Sequence, residues 1–149
     1  MAWEHEGVER MELHFANHFD SLPQLGAAMM SAAQQFFGSI GEAKELHDLR
    51  LAVQEAATNL IEHGAIVDDD FVVRFERWGD EFWVHFVCRG RPFDPTSVRP
   101  SLPDPLELAE GGYGLFLLHT LTDGVLYQTE GEWNTLSLRK RVPGLREAA

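Results

Sequence analysis

The segment from Glu45 to His63 restricts the possible folds more than any other part of the chain. Leu46, Leu49, Val53, Ala56 and Leu60 recur at helical spacing and form one apolar stripe, and Gly64 follows as a C-terminal cap. A helix with a single apolar stripe must bury it against another layer. The residues that follow provide one. Phe71 to Trp78 and Phe82 to Cys88 alternate with period two and meet at Gly79-Asp80, which predicts a hairpin. The same helix carries Glu55, Asn59 and His63 at i, i+4 and i+8, on one line beside the apolar stripe.

The remaining elements follow from the same periodicities. A short strand is expected around Val8 to Phe15. Ser21-Leu22-Pro23 predicts a helix start, with Ser21 as N-cap and Pro23 in the first turn. Leu25, Met29, Ala32, Ala33 and Phe36 then repeat at helical spacing until Gly38 and Gly41. From Pro92 to Gly112 periodicity is lost, and prolines recur at 92, 95, 100, 103 and 105. A proline-rich loop of that length points to a binding loop or lid over about 92–111. A helix resumes near Tyr113 with Leu115, Leu118 and Leu121 inward, and Asp123-Gly124 ends it. Val125 to Thr129 and Trp133 to Arg141 make a second hairpin around Gly131-Glu132. The expected architecture is α+β: a two-layer sandwich in which a mixed, mostly antiparallel sheet is covered on one face by about three helices. With 149 residues, 44% of them hydrophobic, the chain fits a single domain over 1–149 with its core at about 8–142.

Charge narrows the partners. Asp and Glu number 24 against 12 Lys and Arg, a net charge of −12. Binding to nucleic acid or to an anionic membrane needs clustered cations, so neither is expected. Cys88 is alone, which excludes an internal disulfide and agrees with a reducing, cytoplasmic setting. The first ten residues contain no apolar run of the kind a signal peptide carries. His14 and His18 fall in a strand and its exit, where a spacing of four does not converge, and no structural zinc site is expected.

Three segments carry chemistry. Glu55 and Asn59 present a carboxylate and an amide on one helix face; Mg²⁺ takes oxygen ligands and keeps several waters, so an amide oxygen with phosphates is a suitable shell. Gly90-Arg91-Pro92-Phe93-Asp94-Pro95 directly follows a strand, where glycine lets a ligand approach the backbone. Gly111-Gly112-Tyr113-Gly114-Leu115 precedes a helix, whose free N–H groups suit an anion such as phosphate. Each segment alone has an ordinary structural reading: a solvated helix flank, a loop start, a hinge.

Their order is more specific than any one of them. Glu55-Ala-Ala-Thr-Asn59-Leu-Ile-Glu-His63 resembles the N box of the GHKL ATPases. Residues 90 to 95 resemble the first glycine box of that superfamily, and Gly112-Tyr-Gly114-Leu-Phe-Leu-Leu, with Asp123 beyond, resembles the second. The short chain, Pro-Phe-Asp-Pro at 92–95 and the lack of a phosphoacceptor-histidine hairpin are most similar to the anti-sigma-factor serine kinases of the RsbW type. The resemblance implies the Bergerat, or histidine-kinase-like, ATPase fold. It implies Mg²⁺ and ATP as cofactors, an anti-anti-sigma partner with a phosphorylatable Ser or Thr, and a sigma factor held in sequestration. Members of that family often pair through the sheet region and first helix, which implies a homodimer. Carried over by position, Glu55 becomes the general base and Asn59 the Mg²⁺ ligand. His63, Cys88, Gly90, Asp94, Gly111, Gly112, Gly114 and Leu115 fall in the nucleotide site, and Thr135 takes the place of the threonine that reaches adenine through water.

Two positions depart from the pattern. Cys88 stands where the family has the aspartate that accepts from the adenine amino group, and a thiol is a weak acceptor. Losing such a bond costs roughly 1.5–3 kcal/mol, a loss of affinity on the order of ten- to a hundredfold. Glu110 stands where several of these kinases carry a basic residue. An alternative to an active kinase is therefore a partner-binding module of the same fold with a degraded adenine site.

Overall fold

The computed structural model describes residues 8–38, 43–64, 66–90 and 112–142. Its elements run β1 (Val8–Ala16), a 3-10 turn (Phe19–Ser21), α1 (Leu22–Phe37), α2 (Lys44–His63), β2 (Asp70–Trp78), β3 (Glu81–Arg89), α3 (Gly112–Leu121), β4 (Gly124–Glu130) and β5 (Trp133–Arg141). The strands form one sheet in the order β1-β2-β3-β5-β4, and each of these pairings is antiparallel. This is the α+β sandwich that the sequence leads one to expect.

Register explains which side of the sheet is dry. Val73 lies opposite Phe86 and Phe75 opposite Val84, while Phe86 faces Leu136 and Val84 faces Leu138. These side chains point to one face and are buried together with α1 and α2 residues in a single core. Phe82 sits at the centre of an aromatic group, 5.9 Å from Phe36, 5.7 Å from Phe37 and 6.2 Å from Phe75 between ring centroids. Helix α2 lies between α1 and α3 and buries its whole stripe. Ala52, Ala56 and Ala57 are fully or almost fully buried there, and their small side chains let neighbouring elements approach closely.

The start of α1 differs from expectation. Ser21 does not cap the helix with its side chain; its hydroxyl donates to Ala16 O at 2.8 Å. A 3-10 turn comes first, and His18 caps it by accepting from Asp20 N at 3.0 Å. At the other end of α1, Arg77 donates to Phe36 O and lies over the Phe37 ring, 5.0 Å from its centroid. A cation there complements the negative end of the helix. Gly64 stops α2 as expected, but for a different reason: its φ is −73°, so the left-handed region is not needed. A Cβ at this position would lie 2.6 Å from Leu60 O. The hairpin glycines do need that region, with φ of 62° at Gly79 and 63° at Gly131.

Among the described residues, the face opposite the helices carries one buried carboxylate. Glu76, 4% exposed, accepts from Trp78 Nε1 and meets His85 Nε2, Arg74 Nε and Arg10 Nε at 3.0, 3.2, 2.7 and 2.9 Å. Burial pushes its carboxyl up, but the bonds from His85 and Trp78 and the charges of His85 and Arg74 outweigh that and hold it at about 2. A depressed folded-state value stabilises the fold above the ordinary value near 4.5, and this contribution disappears as pH falls through about 2. Urea titrations from pH 6 down to 2 are expected to show stability falling in that window, and Glu76→Gln is expected to flatten the fall. At neutral pH, Phe82→Ala is expected to cost about 3–5 kcal/mol in the same measurement.

Candidate functional site

Helix α2 brings Glu55 and Asn59 to the edge of the core. Ala56 and Leu60, their helix neighbours, point into it. Both polar residues are partly buried, whereas His63, one turn further, is exposed. The Nδ2 atom of Asn59 is buried with no hydrogen-bond partner among the described residues. A buried amide without a partner is costly in a fold, and such groups point to a ligand, an ion or water.

Across from Ala56 and Leu60 lie Phe86 and Cys88 of β3, Tyr127 of β4, and Asn134 and Leu136 of β5; together these residues enclose a cavity of about 10 Å³. Among the described residues, that is room for about one water molecule. Polar groups of the sheet close its far side. Tyr127 OH donates to Asn134 Oδ1 at 2.8 Å, and Asn134 Nδ2 donates to Gly90 O at 3.1 Å. Gly90 N donates in turn to Glu132 O at 2.9 Å, so the end of β3 is tied to the β4–β5 hairpin. Gly90 also bridges to Ile66, which anchors the segment that leaves α2.

Cys88 is 4% exposed and faces Asn134 across the β3–β5 ladder. Burial first, and the nearby Asp68 carboxylate second, push its thiol up to about 11, so it stays protonated at neutral pH. Asp68 itself is held by Arg89 at 2.7 Å, and the bond from Arg89 lowers its carboxyl below the usual range.

The structure thus brings Glu55, Asn59, Cys88 and Gly90 to one end of the α2–β3–β5 layer, although Glu55 and Asn59 flank the small cavity rather than line it. Thr135 does not join them. Asn134, Leu136 and Leu138 alternate toward the core, so Thr135 points to the opposite face, beside Gln128 and Trp133. The inward position is Asn134, and Tyr127 supports it. Strand alternation through Leu136 and Leu138 was the signal for this in the sequence. Gly112 and Gly114 open α3, where the first-turn N–H groups have no partner within the helix, as an anion site requires. Leu115 belongs to the same turn. Asp94, Gly111, Glu110 and the 92–111 lid lie outside the described residues.

Residues 19–140 match the model of the histidine kinase-like ATPase domain. The chain belongs to the histidine kinase-like ATPase family. Within it, the chain is similar to proteins named serine-protein kinase RsbW. It is 35% identical to the one from Listeria monocytogenes serotype 4a over 72% of this chain and 73% of that protein. With the one from Bacillus subtilis strain 168 it shares 33% over 68% of each. Against the one from Halalkalibacterium halodurans it is 33% identical, and the match spans only 54% of each chain. Two solved structures share the fold. The RsbU and RsbW domains of Rv1364c from Mycobacterium tuberculosis align with a TM-score of 0.61 at 17% identity, over 89% of this chain and 32% of that one. The SiaB–SiaC complex from Pseudomonas aeruginosa aligns with a TM-score of 0.56 at 14% identity, over 89% of each chain. Among the described residues, no helix is long and apolar enough to cross a membrane.

The Cys88 environment has a direct consequence. In the native protein at pH 8, a disulfide reagent such as dithionitrobenzoate is expected to leave Cys88 unmodified for many minutes, and one equivalent is expected to react at once in denaturant. Fast native labelling would mean that the β3 end is open.

Proposed function

We propose that the chain is an ATP-dependent protein serine/threonine kinase that phosphorylates an anti-anti-sigma partner and sequesters a sigma factor. Asn59 is the observation that carries this reading. Its Nδ2 is buried with no partner among the described residues, and it sits one turn from the Glu55 carboxylate. Turned about its last torsion, the amide offers Oδ1 to a cation, so the residue fits a Mg²⁺ ligand completed by phosphates and water. Bound there, Mg²⁺ would neutralise charge on the transferring phosphoryl group. Gly112 and Gly114 offer backbone N–H groups to the phosphates. Glu55 takes the proton of the partner's hydroxyl as general base. The resemblance to RsbW-type kinases adds a cytoplasmic setting and a homodimer to the reading.

A second reading has its own observation. The cavity behind Cys88 is about 10 Å³, and the Tyr127–Asn134 pair closes it. In this reading the site stays closed and the domain holds partners without a nucleotide. For ATP to enter, the base has to displace one of the lining side chains, and the thiol offers it only a weak acceptor.

Phosphate transfer from labelled ATP to a cognate anti-anti-sigma protein, run beside a nucleotide-free pull-down, separates the two. The kinase reading expects transfer by the unmodified protein. It expects Glu55→Ala to abolish transfer while ATP still binds. It also expects Cys88→Asp to tighten ATP binding by roughly 1.5–3 kcal/mol, seen mainly in KM. Partner capture with no transfer, even after Cys88→Asp, would overturn it in favour of the binding module.

A further inference from the structure

The hairpin of β2 and β3 carries the same short unit on both arms: Glu76-Arg77-Trp78 and Glu81-Phe82-Trp83. Register sets Glu76 opposite Trp83 and Trp78 opposite Glu81, so two indoles and two carboxylates alternate on the face away from the helices. Each indole is fixed by the glutamate of its own unit: Trp78 Nε1 donates to Glu76 at 3.0 Å and Trp83 Nε1 to Glu81 at 3.3 Å. Trp83 also stacks on His85, with centroids 5.7 Å apart and planes at 9°. These five residues line an open cavity of about 260 Å³. No Lys or Arg is among them. Neither the N box nor the glycine segments contribute to it, and it lies across the sheet from α2.

The chemistry of the lining selects a ligand class. Anchored by its N–H, the Trp78 ring presents a π face, as does the side of Trp83 not stacked on His85, and such faces attract cations. The carboxylates are largely neutralised by arginines on their outer side, Arg74 and Arg10 at Glu76 and Arg139 at Glu81, and little of their accepting capacity is free. Glu76 already meets Trp78, His85, Arg74 and Arg10. Glu81 meets Trp83 and, at 2.7 Å, Arg139. A primary ammonium is strongly hydrated, and it or a guanidinium would find few free acceptors in this lining to replace the water it sheds against the rings. A quaternary ammonium brings positive charge and no donor.

We propose that this cavity binds a small organic cation with a quaternary ammonium head group. The proposal does not rest on the kinase reading. Its test is calorimetric titration of the intact protein with choline and, separately, with 3,3-dimethyl-1-butanol, the neutral isostere. Choline is expected to bind saturably and at least tenfold more tightly than the isostere. Trp78, at 47% exposure, can be changed without opening the core, so Trp78→Ala should keep its circular dichroism and a cooperative melt, lowered only by the lost bond to Glu76, and lose at least tenfold in choline affinity. Glu81→Gln should weaken choline and leave the isostere unchanged. Co-sedimentation with phosphatidylcholine vesicles distinguishes a lipid head group from a free solute: Trp78-dependent sedimentation points to the lipid, and its absence alongside choline binding points to the solute. Equal affinity for choline and isostere, binding unaffected by Trp78→Ala, or no saturable binding of choline overturns the proposal.

Discussion

The structure depends on the burial of the α2 stripe against the inner face of β3 and β5. Leu46, Leu49, Val53, Ala56 and Leu60 point one way from a twenty-residue helix, and Phe82, Val84, Phe86, Leu136 and Leu138 answer from the sheet. At about 25 cal/mol per Å² of apolar surface, contacts of this kind dominate the stability of a small domain. They also fix the rotation of α2 about its axis. Once Ala56 and Leu60 must face Cys88 and Leu136, Glu55 and Asn59 have to emerge at the rim beside them. The position of the polar residues follows from the packing of the apolar ones.

The same constraint explains the character of the candidate site. Its floor is core: alanine, leucine, phenylalanine and a thiol that burial keeps protonated. Among the described residues, polarity enters through the Tyr127–Asn134 pair on the sheet side, tied onward to Gly90, and through Glu55 and Asn59 at the rim. A carboxylate at 88 would turn that floor into a base-recognising surface at the cost of burying a charge. With cysteine there, the floor adds to the core. The tension between kinase and binding module is therefore a tension between packing and recognition at one residue.

Much of this was legible in the sequence, because both periodicities survive intact. The stripe of α2, the hairpins at Gly79 and Gly131, and the face shared by Glu55 and Asn59 are properties of spacing alone. What was not legible depends on competition between local groups. Ser21 has a cap residue's chemistry, but its hydroxyl finds Ala16 O first. Gly64 is required by the closeness of Leu60 O, which no local pattern encodes. Thr135 was assigned by likeness to a family position, whereas counting outward from Leu136 and Leu138 gives the inward place to Asn134. The Glu76 cluster joins β1, β2 and β3 through side chains far apart in the chain, and only the register brings Arg10 to it.

The central claim is that the C-terminal half of α2 and the end of β3 form a nucleotide site. Amide hydrogen exchange with and without Mg–ATP tests it most directly. The account predicts added protection over 55–63, 88–90 and the first turn of α3, with Glu76 to His85 unchanged. No change in those segments at saturating nucleotide, or protection confined to the opposite face of the sheet, would contradict it.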